Sequence, residues 1–120
     1  MSTADPATLE SLMDRLAALM PVRTRGFFGG TALVCDATQF AMVMGTTVYF
    51  VVDDETRSRY QAAGSEPFTY LTARGPITVG RYHALPPQVL DDPDALHAWA
   101  DRAVQSARNA PAGGRRRTTR

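Results

Sequence analysis

The sequence predicts an α+β domain, built in two layers from a mainly antiparallel sheet and helices. Three observations predict it. Apolar residues recur at helical spacing near both ends of the chain, β-branched and aromatic residues cluster between them, and short turns separate the clusters. The predicted order is helix, four strands, helix, two strands, helix. A length of 120 residues favours one domain. We place it at residues 5–109 and predict a disordered arginine-rich tail over residues 110–120.

The first predicted helix follows Asp5-Pro6. An aspartate is a good N-cap because its carboxylate accepts hydrogen bonds from the free amides of the first turn, and a proline suits the first helical position. Pro21 ends the helix. Its predicted apolar stripe consists of Leu9, Leu12, Met13, Leu16, Leu19 and Met20.

Four strands are predicted between Arg23 and Val52. Gly29-Gly30 divides the first strand from the second, and Asp36-Ala37-Thr38 is typical of a turn before the third. Gly45-Thr46 fits a two-residue hairpin between the third and fourth strands, because glycine tolerates the positive φ that such a turn requires.

The third and fourth strands are apolar on both faces. In the third, Phe40, Met42 and Met44 are predicted on one face, with Ala41 and Val43 on the other. Strands of this kind usually have both faces covered. Helices cover one face, so we expect another helix or a partner subunit over the second, and this predicts a homodimer.

The second half of the predicted domain is marked by helix caps. Asp53 or Asp54 caps the second helix, and Gly64 fits its end. Two strands are predicted between Phe68 and Tyr82, joined by a glycine- and proline-containing turn. Asp92-Pro93 then opens the last helix as N-cap and first-turn proline.

Charge and cysteine content exclude several classes of protein. Four of the 13 basic residues lie in the last six positions, which leaves 9 against 12 acidic residues, a net charge of −3 (9 − 12), for the rest. A domain with this negative net charge is a poor match for nucleic acid, so we expect at most weak nucleic-acid contact through the tail. One cysteine cannot form an internal disulfide, and no apolar run has membrane-spanning length, so we expect a cytoplasmic protein. The tail arginines are Arg115, Arg116, Arg117 and Arg120.

The segment from Gly64 to Tyr70 (GSEPFTY) resembles the N-terminal domain of the TfoX/Sxy family, bacterial proteins linked to regulation of natural competence. The resemblance covers roughly Arg23 to Ala107 and implies a two-layer fold like that of secretion chaperones. It also implies a non-enzymatic regulatory or protein-interaction role. Further matching motifs, in order, are Phe28-Gly29-Gly30, Phe40 to Val43, Tyr49-Phe50, Val52-Asp53, Leu85-Pro86 and Leu96 to Ala100.

Two departures from the family pattern limit what the resemblance implies. Members often carry a lysine in the fourth strand where this chain has Val51. Full-length members also continue into a helical C-terminal domain, whereas we expect this chain to be a stand-alone N-terminal domain. The resemblance therefore does not imply the complete competence-activator role of full-length members for this chain.

Candidate catalytic and metal-binding side chains are few and far apart in the sequence. One cysteine and two separated histidines provide no zinc-site spacing. Cys35 is interpreted as a core or edge thiol, His97 as part of a solvated helix face, and His83 as a group that orients its neighbours. We predict no catalytic, cofactor or metal site and no enzymatic activity.

Glu66 is the carboxylate that leaves a second function open. Held between Ser65 and Pro67, it would become a general acid if burial raised its pKa. The favoured interpretation is that Ser65 and Glu66 fix a helix-to-strand turn by bonding to free backbone amides. The alternative is a small ligand-binding domain or enzyme that uses Glu66, Tyr70 or Arg25 in a pocket.

Three other motifs have structural interpretations. Asp91-Asp92 with Asp94 is explained by helix capping. Phe28-Gly29-Gly30 lacks the further glycine, the lysine and the helix of a phosphate-binding loop, so it predicts a turn between strands. Trp99 lies on the apolar side of the last helix, where we expect a core residue or an interface anchor.

Overall fold

The computed structural model describes residues 3–27 and 29–109, and within them a six-stranded antiparallel sheet packs with four helices. The predicted α+β class and element order are confirmed, with one short additional helix at Pro87–Leu90. No helix in this part of the chain has the length and hydrophobicity to cross a membrane. Phe28 and the predicted tail, including Arg115, Arg116, Arg117 and Arg120, lie outside the described residues. The elements are α1 (Pro6–Ala17), β1 (Val22–Phe27), β2 (Gly30–Cys35), β3 (Thr38–Met44), β4 (Thr47–Val51), α2 (Asp54–Ala62), β5 (Pro67–Thr72), β6 (Gly75–Ala84), α3 (Pro87–Leu90) and α4 (Pro93–Asn109).

Helix α1 begins as the sequence predicts and ends earlier. The Asp5 carboxylate accepts a hydrogen bond from the Thr8 amide at 3.0 Å. Leu12 and Leu16 are buried against the sheet. Leu19, predicted to continue their stripe, is 49% exposed, because the helix ends at residue 17 and Leu19 lies in the turn that follows.

Helix α4 is capped by its acidic run. One Asp92 carboxylate oxygen accepts hydrogen bonds from the Asp94 amide at 3.0 Å and the Ala95 amide at 3.3 Å. These are free donors of the first turn, so the Asp92 carboxylate caps the helix as predicted.

Tight turns connect the first four strands. Phe27 pairs with Gly30, and Gly29 between them has a φ of 83°, as expected for a turn rather than a phosphate loop. Gly45 has a φ of 60° and begins the predicted two-residue hairpin. At the β2–β3 turn, Asp36 and Ala37 also have left-handed backbone, with φ of 48° and 69°.

Replacing Ala37 with glycine is expected to stabilise the domain. A left-handed conformation costs a residue with a Cβ atom about 1–2 kcal/mol, and glycine avoids that cost. We expect the free energy of unfolding to rise by about 1 kcal/mol, which corresponds to about 4–6 °C in Tm. Ala63→Gly is the control, because Ala63 has a right-handed φ of −88°. A Tm that falls equally in both variants would contradict the interpretation.

The main core lies between one face of the sheet and helices α1 and α4. The predicted face of Phe40 is wrong. Leu33 pairs with Ala41 whereas Val34 pairs with Gln39, so Phe40 is the extra residue of a β-bulge. The bulge places its ring in the helix-side core rather than on the opposite face.

The opposite face of the sheet is covered by the chain's own aromatic side chains. Phe27 of β1 and Tyr82 of β6 have ring centroids 6.2 Å apart, although β2, β3 and β4 lie between these strands. The sheet must therefore curve strongly around this face. A homodimer stays a prediction, but these strands do not require one for burial. The buried residues here are Met42, Met44, Val51, Phe68 and Tyr82.

Candidate functional site

A groove of about 500 Å³ opens at one end of the sheet. Strand β4 begins at Thr47, but its first partner in β6 is Ala84, which lies opposite Tyr49. One further bond joins the Leu85 amide to the Val48 carbonyl at 2.8 Å, and the chain then turns through Pro86 into α3. The space between β4 and the start of β5 is therefore left open, with a volume in the range of small-molecule and peptide sites.

Glu66 is exposed and is the single charged residue among the described residues that line this groove. Its backbone carbonyl accepts a hydrogen bond from the Ala84 amide at 3.0 Å. The Ser65 hydroxyl donates to the Ala84 carbonyl at 2.6 Å. Ser65 and Glu66 thus join the turn to β6, but the predicted mode of bonding is wrong, because Ser65 donates to a carbonyl and Glu66 accepts through its main chain. Glu66 therefore lines the groove on a turn that is hydrogen-bonded to Ala84.

Tyr49 forms the wall facing Glu66. Burial, and secondarily the negative charge of Glu66, raise the pKa of the Tyr49 phenol. The phenol is therefore neutral at pH 7. Its ring packs edge-on against Phe68 with centroids 5.2 Å apart, which holds it in place.

Tyr70 and Arg25, the other members of the predicted pocket, are not among the groove residues. Tyr70 stacks on Phe68 with centroids 5.7 Å apart. Arg25 donates to the Gln39 side-chain carbonyl at 2.8 Å, and Gln39 in turn donates to the Tyr82 hydroxyl at 2.9 Å. These polar groups lie on the curved face of the sheet. Of the three residues predicted for a pocket, Glu66 alone lines the groove.

The cysteine and histidines occupy separate environments. Cys35 ends β2 and is buried, and burial raises the pKa of its thiol. His83 lies in β6, with β3 and β4 between the two strands. Burial, followed by the positive charge of Arg57, lowers the pKa of His83, which packs edge-on against Tyr60 with ring centroids 6.0 Å apart. His97 is exposed on α4. Among residues 3–27 and 29–109, no group of His, Cys, Asp and Glu is placed to hold a metal ion.

A polar network between α2 and α4 was not predicted. Asp53 caps α2, accepting from the Thr56 amide at 2.8 Å, and it also accepts from the Ser106 hydroxyl at 2.9 Å. Arg102 donates to Asp53 at 3.5 Å and to Glu55. The hydrogen bond from the Thr56 amide is the main reason that the pKa of Asp53 is lowered. In the sequence, the one indication of this network is Ser106, a polar residue on the apolar side of α4. The network joins the two helices.

A second, smaller cavity of about 110 Å³ lies beside this network. Tyr60 of α2 and Trp99 of α4 form one wall, with ring centroids 4.7 Å apart. Trp99 is half-buried, so it serves as a contact between helices rather than as a fully enclosed core residue. The cavity is below the usual size of a small-molecule site.

Comparison with known proteins identifies a family similarity. A family model described as the TfoX N-terminal domain matches residues 14–107. No curated protein matches the chain. The matched region includes all six strands, the groove and the α2–α4 network.

Proposed function

The chain belongs to the TfoX N-terminal domain family, and from this premise we propose a non-enzymatic regulatory domain that acts through protein contacts in the cytoplasm. Regulation of transcription of the kind linked to natural competence is part of this proposal. The family membership supports a TfoX-like domain, and the groove beside Glu66 supplies a surface for the contact.

The groove is the observation that carries the proposal. Its walls include Tyr49, Pro67 and Pro86-Pro87, rigid side chains that lose little conformational entropy when a partner binds. Extended, proline-rich segments dock against aromatic groove walls, and Tyr49 supplies such a wall here. Glu66 adds a single negative charge, which favours a basic side chain in that segment. We therefore expect the partner to present an extended, arginine- or lysine-containing segment.

Replacing Glu66 with lysine is expected to weaken binding of such segments about tenfold, because attraction to a basic side chain becomes repulsion. The measurement is binding of the purified chain to an array of synthetic extended peptides, each with a central arginine flanked by prolines. Glu10→Lys is the matched control, since Glu10 is also exposed but lies on α1 outside the groove. Equal binding by the wild type and the Glu66 variant would contradict the proposal.

A small ligand-binding domain or enzyme is the second candidate, favoured by the groove volume of about 500 Å³. Here the occupant would be a small cationic molecule held by Glu66. A low-molecular-weight cell fraction that raises the Tm of the wild type and of Glu10→Lys, but not of Glu66→Lys, would favour this candidate. In that case, no peptide of the array is expected to bind the wild type.

A further inference from the structure

The two edges of the sheet differ in charge. Strand β1 at one edge carries Arg23 and Arg25, both exposed. Charged residues of this kind discourage an edge strand from pairing with another chain. Strand β5 at the other edge, Pro67–Thr72, has no charged residue. Its Leu71 is 81% exposed. The unprotected edge is therefore β5.

The register of the β5–β6 hairpin shows which backbone groups face that edge. Thr72 pairs with Gly75 across a two-residue turn, and such a closing pair is hydrogen-bonded. Antiparallel pairs alternate between hydrogen-bonded and non-hydrogen-bonded. Thr69 and Leu71 therefore direct their N–H and C=O groups away from β6. Pro76, which lies opposite Leu71 and has no N–H, agrees with this assignment.

We propose that β5 pairs in antiparallel orientation with β5 of a second copy of this chain, with Thr69 opposite the partner's Leu71. This register uses all four outward-facing backbone groups of each strand. It is self-complementary about a two-fold axis at Tyr70, as a symmetric dimer requires. Leu71 is removed from water beside the partner's Thr69. This contact and the groove share Glu66, whereas Leu71 lies outside the groove and separates the two in an experiment.

Charge complementarity supports this pairing. Glu66 lies directly before β5 and Arg74 lies in the turn that follows it, and both residues are exposed. Antiparallel pairing about Tyr70 brings the acidic end of each strand to the basic end of its partner. One pair between Glu66 and the partner's Arg74 then forms at each end of the paired strands.

Analytical ultracentrifugation of the full chain tests the pairing. A single strand pair buries less area than a standard interface, so we expect a dimer with Kd in the range of about 10–500 µM. Leu71→Lys is expected to raise Kd at least about tenfold, because it places a charge at the edge. Leu19→Lys is the matched control, because Leu19 is also exposed but lies beyond α1, and its Kd is expected to be unchanged. A wild-type monomer at the highest concentration, or equal effects of the two lysines, would overturn the proposal.

A charge swap tests the antiparallel orientation. Glu66→Arg and Arg74→Glu are each expected to raise Kd about three- to tenfold by placing like charges at the same end of the paired strands. The double variant restores the opposite-charge pairs and is expected to regain the wild-type Kd. Failure to recover would overturn the antiparallel pairing. Leu71→Lys is expected to bind the peptide array like the wild type, so loss of dimerisation and loss of groove binding are distinguishable.

Discussion

Replacing Gly30 with alanine is expected to lower the free energy of unfolding by about 3 kcal/mol, as overpacking does at its upper range. A Cβ atom at Gly30 would lie 2.4 Å from the Met44 sulfur and 2.6 Å from the backbone oxygen of Val43. The thioether can rotate away, but the carbonyl is fixed in the sheet. Urea denaturation followed by circular dichroism measures the loss.

Gly26→Ala is the matched control, because Gly26 belongs to the same hairpin and an added Cβ atom there meets no atom within 4 Å. It is expected to be neutral or to stabilise by about 0.5 kcal/mol, since alanine reduces the entropy of the unfolded chain. A similar loss in both variants would show that close packing at Gly30 does not determine its identity.

Replacing Asp53 with alanine is also expected to cost about 3 kcal/mol. Loss of an N-cap costs about 1 kcal/mol, and leaving buried polar partners unsatisfied costs about 1–3 kcal/mol more. Ser106 is 2% exposed and loses its acceptor, and Arg102 loses one of its carboxylates. Asp54→Ala is the control, because its pair with Arg57 is exposed and is worth less than about 1 kcal/mol. Equal losses would contradict the role of the network.

The difference in stability between the wild type and Asp53→Ala is also expected to depend on pH. The pKa of Asp53 is lowered in the folded state. Its contribution is therefore fully present above the unfolded pKa of about 3.9 and is lost as pH falls through the folded value. The stability difference between wild type and Asp53→Ala is expected to shrink below about pH 4. A difference that stays constant down to about pH 2 would contradict the assignment.

Local chemistry made the element order predictable. The caps Asp5 and Asp92 and the turns at Gly45 and Gly64 act on residues within one turn of themselves, so the sequence contains the complete signal. The face of Phe40 was not predictable in this way. It depends on a bulge in pairing between strands, which residue alternation does not reveal.

The candidate site was predictable only in part. Glu66 stood out in the sequence, but the groove around it depends on where β6 leaves β4, a property of strand lengths. The bond between Asp53 and Ser106 joins residues 53 positions apart, and no local pattern relates them. Coverage of the second face likewise depends on curvature that brings Phe27 to Tyr82.

Site-specific photo-crosslinking in the native cell tests the proposed protein contact most directly. A photoreactive residue at Thr47, inside the groove, is expected to form an adduct with a protein other than this chain. The adduct is expected to disappear when Glu66→Lys is added, and to be absent when the photoreactive residue is at Ser58, exposed on α2 outside the groove. No protein adduct from Thr47, or an adduct unaffected by the charge reversal, would contradict the account.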